Sequence, residues 1–140
     1  MTTRLLPQLQ PLGLLALRLA LGVTMIAHGW PKMMNIQGFA SGLLANIGVP
    51  GWMAYLVVAA EVGGGILLIL GLLTPFAAAA VAIDMAVAIV KVHFKRGLTG
   101  QGGYEFTLIL FTVALTLIFF GAGPLSLDHL IFGKGGPRRR

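Results

Sequence analysis

The sequence predicts an all-α integral membrane protein: a four-transmembrane-helix bundle with a short interfacial helix between helices 1 and 2. An apolar excess, four long apolar stretches, and ionisable residues isolated inside those stretches predict it. Hydrophobic residues fill 57% of the 140 positions and charged ones 10%, a mix too apolar for a soluble chain of this size to hide from water. The stretches cover about 12–34, 52–73, 75–94 and 105–123, each near the ~20 residues that a helix needs to cross a hydrocarbon core.

The first stretch follows Arg4, as a secretion signal would. It continues well past signal length, carries Arg18, and ends in His28-Gly29-Trp30-Pro31-Lys32 without a small-residue cleavage site, so it is expected to stay in the mature protein. Residues 38–48 are half apolar and stop at Val49-Pro50-Gly51, a length that suits a helix lying in the interface. The second and third stretches are joined by Gly71-Leu72-Leu73-Thr74-Pro75, where Pro75 suits the first turn of a new helix. They should form a tight antiparallel hairpin. Residues 96–103 are glycine-rich, but they lack the Lys-Ser/Thr ending of a phosphate-binding loop and follow no strand, so they read as an outer loop. No internal repeat is evident, which gives inverted-repeat transporters no support. The expected organisation is a single membrane domain, 1–133, with a basic tail, 134–140.

Four spans place both termini on one side. There Arg4, Lys134, Arg138, Arg139 and Arg140 narrowly outnumber Lys32, Lys91, Lys95 and Arg96 opposite, so cytoplasmic termini are expected. The net charge of +6 comes largely from the tail and from the end of the third span. Such flanking charges meet anionic lipid head groups, so the bilayer is the expected partner and nucleic acid is not. With no cysteine, the chain alone holds no disulfide, iron–sulfur cluster or redox dithiol.

Charge at membrane depth is expensive, about 2.5–3.5 kcal/mol per group on insertion scales. Arg18, Glu61 and Asp84 sit deep. Helical spacing gives each a stripe: Arg18, Gly22, Met25, Gly29 and Lys32 on span one; Glu61, Gly64, Leu68 and Gly71 on span two; Ala77, Ala80, Asp84, Ala88 and Lys91 on span three. Glu105, Thr112 and Thr116 make a mildly polar line on span four. Small residues along the stripes let helices approach closely, and Arg18 between two carboxylates is the expected neutralising arrangement. Such a network either fixes helix register or lines a ligand or proton site; the surplus carboxylate favours the second reading, with a bound proton or His28 supplying the balance. Nearer the surface lie His28, Lys32, Lys91, His93 and Glu105, of which His28 is the best single candidate for proton exchange. Bis-histidine haem and a metal held by His28, His93 and Glu105 are not expected, because helical spacing turns His93 nearly opposite Asp84. Lys91, Lys95 and Arg96 suit snorkelling anchors.

Arg18, His28-Gly29, Lys32, Gly48-Val49-Pro50, Glu61-Val62-Gly63-Gly64, Leu70-Gly71-Leu72-Leu73-Thr74, Asp84-Met85, Gly103-Tyr104-Glu105 and Gly121-Ala122-Gly123-Pro124-Leu125-Ser126-Leu127-Asp128 together resemble the DoxX family of membrane proteins. The likeness spans nearly the whole chain and rests on order and spacing. It implies a four-helix bacterial inner-membrane protein linked to quinone-dependent redox chemistry. Members are described as small subunits of a thiosulfate-oxidising quinone reductase, as inner-membrane oxidoreductases, or as partners of sulfur-transfer and superoxide-removing enzymes.

The leading expectation is a quinone-interacting subunit of a membrane oxidoreductase, homo- or hetero-oligomeric, fed electrons by a partner protein or a diffusible donor. His28, Glu61 and Asp84 are the expected catalytic residues. Arg18, His28, Lys32, Glu61, Asp84 and Glu105 are expected to bind the quinone, His28 and Lys32 as donors to a carbonyl and the carboxylates as proton carriers. A proton or small-solute carrier and a non-catalytic membrane anchor or assembly subunit are the alternatives.

Overall fold

The computed structural model describes residues 6–133; Arg4 and the expected basic tail 134–140 lie outside the described residues. Every element among them is helical. The long helix α1 covers Leu6–Met34. Helix α2 is Ile36–Phe39, extended by a π-type turn over Ala40–Leu44. Helix α3 spans Met53–Leu70 and α4 spans Thr74–Arg96, followed by α5, Glu105–Phe120, and the short α6, Leu127–Phe132.

Local chemistry sets the boundaries. Pro31 lacks the amide that would bond to the Ala27 carbonyl, and α1 stops three residues later. Asn35 then starts α2, its side-chain oxygen accepting the Gly38 amide at 3.1 Å. Helix α3 ends on Gly71 at φ +66°, a left-handed cap that glycine adopts freely. Pro75 occupies the first turn of α4 as the sequence predicts.

The helices are arranged in the order α1, α3, α4, α5, each packed on the next and α5 closing back on α1. Leu21, Met25, Leu68, Ala78, Val81, Ala114 and Leu117 fill the centre. Phe76, Ile83, Val90, Ile109, Phe119 and Phe120 point outward, an apolar exterior suited to lipid and not to water. Helices α1, α3 and α4 are long and apolar enough to cross a membrane; α5 is apolar but shorter.

Glycines fix the contact between α1 and α3. A Cβ on Gly22 would stand 2.7 Å from the Gly65 carbonyl oxygen, and one on Gly65 would stand 2.8 Å from that of Gly22. The backbones therefore touch at this crossing, as small residues permit. Because the helices run antiparallel, this contact sets every other level: Gly29 lies against Glu61 and Val62, and Arg18 against Gly71.

Two expected faces differ. On α4 the buried line is Ala77, Ala78, Val81, Ala82 and Met85, so of the expected stripe Ala77 is buried while Asp84 lies on the flank and Lys91 is exposed. On α5 the buried line is Thr107, Leu110, Ala114 and Leu117. Thr112 and Thr116 face away, their hydroxyls donating to the carbonyls of Leu108 and Thr112 at 2.9 and 3.0 Å. A threonine satisfied by its own helix needs no polar neighbour.

Candidate functional site

The ionisable residues gather at opposite ends of the bundle, so the expected pairing of Arg18 with Glu61 and Asp84 does not form. Arg18 is 1% exposed and donates through Nη2 to the Leu125 carbonyl, with Asp128 as the neighbouring counter-charge. It stands level with Gly71, ten residues along α3 from Glu61, or about 15 Å at 1.5 Å per residue.

Asp128 organises that end. Its two carboxylate oxygens accept the amides of Leu73 at 2.7 Å and Thr74 at 2.9 Å, capping α4, while its own amide donates to the Gly71 carbonyl at 2.8 Å. Leu73 has φ +49°, a strained value for leucine, and this bond holds it there. Ser126 caps α6, its hydroxyl oxygen accepting the His129 amide at 3.1 Å. The segment quoted as 121–128 in the resemblance is thus a strap over the α3–α4 hairpin.

At the other end, Lys32 Nζ lies 2.5 Å from Glu61 Oε1 and 5.2 Å from the centre of the Phe39 ring. The lysine side chain is 27% exposed and the glutamate 3%. Glu61 sits within a π-type turn, Ala59–Gly63; such insertions re-aim side chains and recur at functional sites. Asp84 lies beside it, within side-chain hydrogen-bonding reach. Glu61 Oε2 and Asp84 Oδ2 are buried without a donor.

Against this pair opens a cleft of about 430 Å3, within the range of small-molecule sites. Met25, Met85, Phe106 and Leu110 supply apolar wall, while His28, Lys32, Glu61, His93 and Glu105 supply polar groups. The His28 and Phe106 rings pack at 5.6 Å, tilted by 43°. The glycine-rich loop contributes Gly100, Gly102 and Gly103 to the rim.

Among the residues singled out from sequence, His28, Lys32, Glu61 and Glu105 line this cleft, Asp84 backs onto Glu61, and Arg18 is remote. His93, expected to face away, lines the cleft. The reason is a third π-type turn, Ile89–His93. Nine residues at about 100° each would put His93 opposite Asp84, whereas one inserted residue brings it back to about 80°. Phe39, Met85 and Phe106 were not singled out. Sequence placed His93 at the depth of His28, and that shared depth was the available signal.

Comparison with known proteins gives the family. The DoxX family profile matches residues 13–94. A Bacillus subtilis (strain 168) protein named "Putative oxidoreductase CatD" is 31% identical over 121 residues, 86% of this chain and 88% of its own length. An Escherichia coli (strain K12) protein named "Inner membrane protein YqjF" is 29% identical over 138 residues, 91% of this chain and 98% of its own. No solved structure matches. The aligned span takes in α1, α3 and most of α4, with Lys32, Glu61, Asp84 and His93 inside it, and the chain belongs to the DoxX family.

Proposed function

We propose that this chain is a quinone-binding subunit of an oxidoreductase in the bacterial cytoplasmic membrane. Its four helices α1, α3, α4 and α5 span the bilayer with both termini in the cytoplasm, and α2 lies in the interface. The observation that carries the reading is the cleft: a volume near 430 Å3 with apolar walls and, in its lining, a half-buried Lys32 paired to a buried Glu61. A quinone head group asks for that combination of flat apolar walls and a few directed polar atoms. The relative named as an oxidoreductase agrees with it.

In this reading Lys32 donates to a ligand oxygen, since Glu61 engages only part of its three-proton ammonium. Met25, Met85, Phe106 and Leu110 hold the ring and exclude water. His28 and Glu105, both exposed at the cleft, exchange protons with the surface; Glu61 and Asp84 are the inner carboxylates of that path. A quinone supplies the two-electron, two-proton couple, and a partner protein supplies the electrons. Arg18 has a different role from the one the sequence suggests: it anchors the strap and touches no ligand.

Protein extracted into native lipid discs should retain quinone, measured by chromatography of its lipid extract. Lys32→Met and Glu61→Gln should release it, while Gly13→Ala, at a position with nothing near its Cβ, should not. Quinone-free extracts together with no binding of added quinone refute the proposal. The adjacent donorless oxygens of Glu61 and Asp84 favour a second reading, proton carriage; proton flux into liposomes holding the pure protein, absent in Glu61→Gln, distinguishes it.

A further inference from the structure

His93 is the cleft residue whose hydrogen-bonding role the geometry defines most narrowly. Its Nδ1 lies 2.8 Å from the Gly102 carbonyl oxygen. A carbonyl only accepts, so Nδ1 carries a proton, and in the neutral ring Nε2 is left as an acceptor. Among the described residues no group donates to Nε2, and the ring lines the cleft.

The loop that fixes this tautomer is itself held in place. The Tyr104 amide donates to the Gly97 carbonyl at 3.1 Å and the Glu105 amide to the Leu98 carbonyl at 3.0 Å. Gly102 sits at φ +79°, and a Cβ on Gly103 would meet the Leu98 carbonyl oxygen at 2.6 Å. The carbonyl facing His93 is therefore presented by a tight, glycine-dependent turn.

Of the cleft's polar groups, Glu61 is an acceptor already engaged by Lys32 and His28 can serve either way. Lys32, beside Glu61, only donates. His93 Nε2 and the Glu105 carboxylate, at the loop end, accept. An oxidised quinone carries only acceptor oxygens, so it satisfies Lys32 and leaves Nε2 facing lone pairs. A hydroxyl both accepts and donates. Resting on the quinone reading above, we infer that the cleft selects the reduced, dihydroxy form of its ligand, with His93 Nε2 accepting a ligand O–H.

The test is equilibrium binding by calorimetry, with protein in lipid nanodiscs and a short-tailed quinone offered oxidised or, anaerobically with excess reductant, as its quinol. Wild-type protein should bind the quinol more tightly. His93→Phe, which keeps a ring and removes both nitrogens, should narrow the preference about five- to tenfold, the weight of one neutral hydrogen bond. His93→Asn retains a donor able to reach Gly102 but offers no counterpart of Nε2, and should narrow it as much while leaving the loop in place. Equal binding of both forms, tighter binding of the quinone, or a preference untouched in His93→Asn overturns the selection and leaves the quinone reading standing. Binding of neither form overturns both.

Discussion

Lys32→Met keeps the unbranched stem beside Phe39 and removes the ammonium, which leaves Glu61 with no donor. In the intact protein Glu61 Oε1 has Lys32 at 2.5 Å, and Oε2 already has no partner. The glutamate is 2% exposed, so water does not replace the lost cation. Breaking a buried ion pair from one side costs about 3–5 kcal/mol. The 27% exposure of the lysine side chain places this case at the lower end, about 3 kcal/mol, or roughly two orders of magnitude in the unfolding equilibrium. Adding Glu61→Gln removes the stranded charge, and the double variant should recover all but about 1 kcal/mol. Reversible unfolding in mixed detergent micelles, followed by tryptophan fluorescence, measures all three differences. A Lys32→Met variant within about 0.5 kcal/mol of the parent refutes the reasoning. So does a double variant as unstable as the sum of its parts.

Further outcomes follow at the other end of the bundle and across the membrane. Asp128→Ala removes both amide caps at the start of α4 and should cost about 2 kcal/mol, at about 1 per cap, with faster hydrogen exchange confined to α6 and the hairpin. Gly71→Ala should be worse than Asp128→Ala by the same measure, since it places a Cβ at φ +66° and into the Arg18 guanidinium. Gly22→Ala meets the Gly65 carbonyl at 2.7 Å and should cost about 1–3 kcal/mol by micelle unfolding, while Gly13→Ala should be neutral or stabilising. The chain has no cysteine, so Gln101→Cys and Leu130→Cys give clean topology probes. A membrane-impermeant thiol reagent applied to intact cells should label the first and spare the second.

Four apolar stretches were legible because they depend only on composition and length, and α3 and α4 fall within a few residues of their expected bounds. Stripes of small residues correctly marked which side of α1 and α3 is buried. The sequence did not convey which levels face each other. That depends on the antiparallel register, which the Gly22–Gly65 contact sets, and it moves Arg18 from the carboxylates to Gly71. Nor did it convey the π-type turns. One inserted residue leaves no mark in apolar periodicity, yet it decides whether His93 points into the cleft. Asp128 was visible only as part of a motif, because a side chain that caps a helix 54 residues earlier in the chain leaves no local pattern.

The two ends of the bundle bury charge in different surroundings. At the strap end Asp128 meets two amides and offsets Arg18, whose Nη2 meets a carbonyl while Nε and Nη1, like Thr74 Oγ1, have no partner among the described residues. At the cleft end, Lys32 has unused donors, Glu61 and Asp84 each keep a donorless oxygen, and His93 keeps a free nitrogen. Unsatisfied groups cost stability at both ends, and at this one they lie against a cleft of about 430 Å3 that a ligand could enter. Two of the three π-type turns fall at this same end, under Glu61 and His93. A bundle built for anchoring alone has no need of them, so their place under two cleft residues argues for chemistry in the cleft.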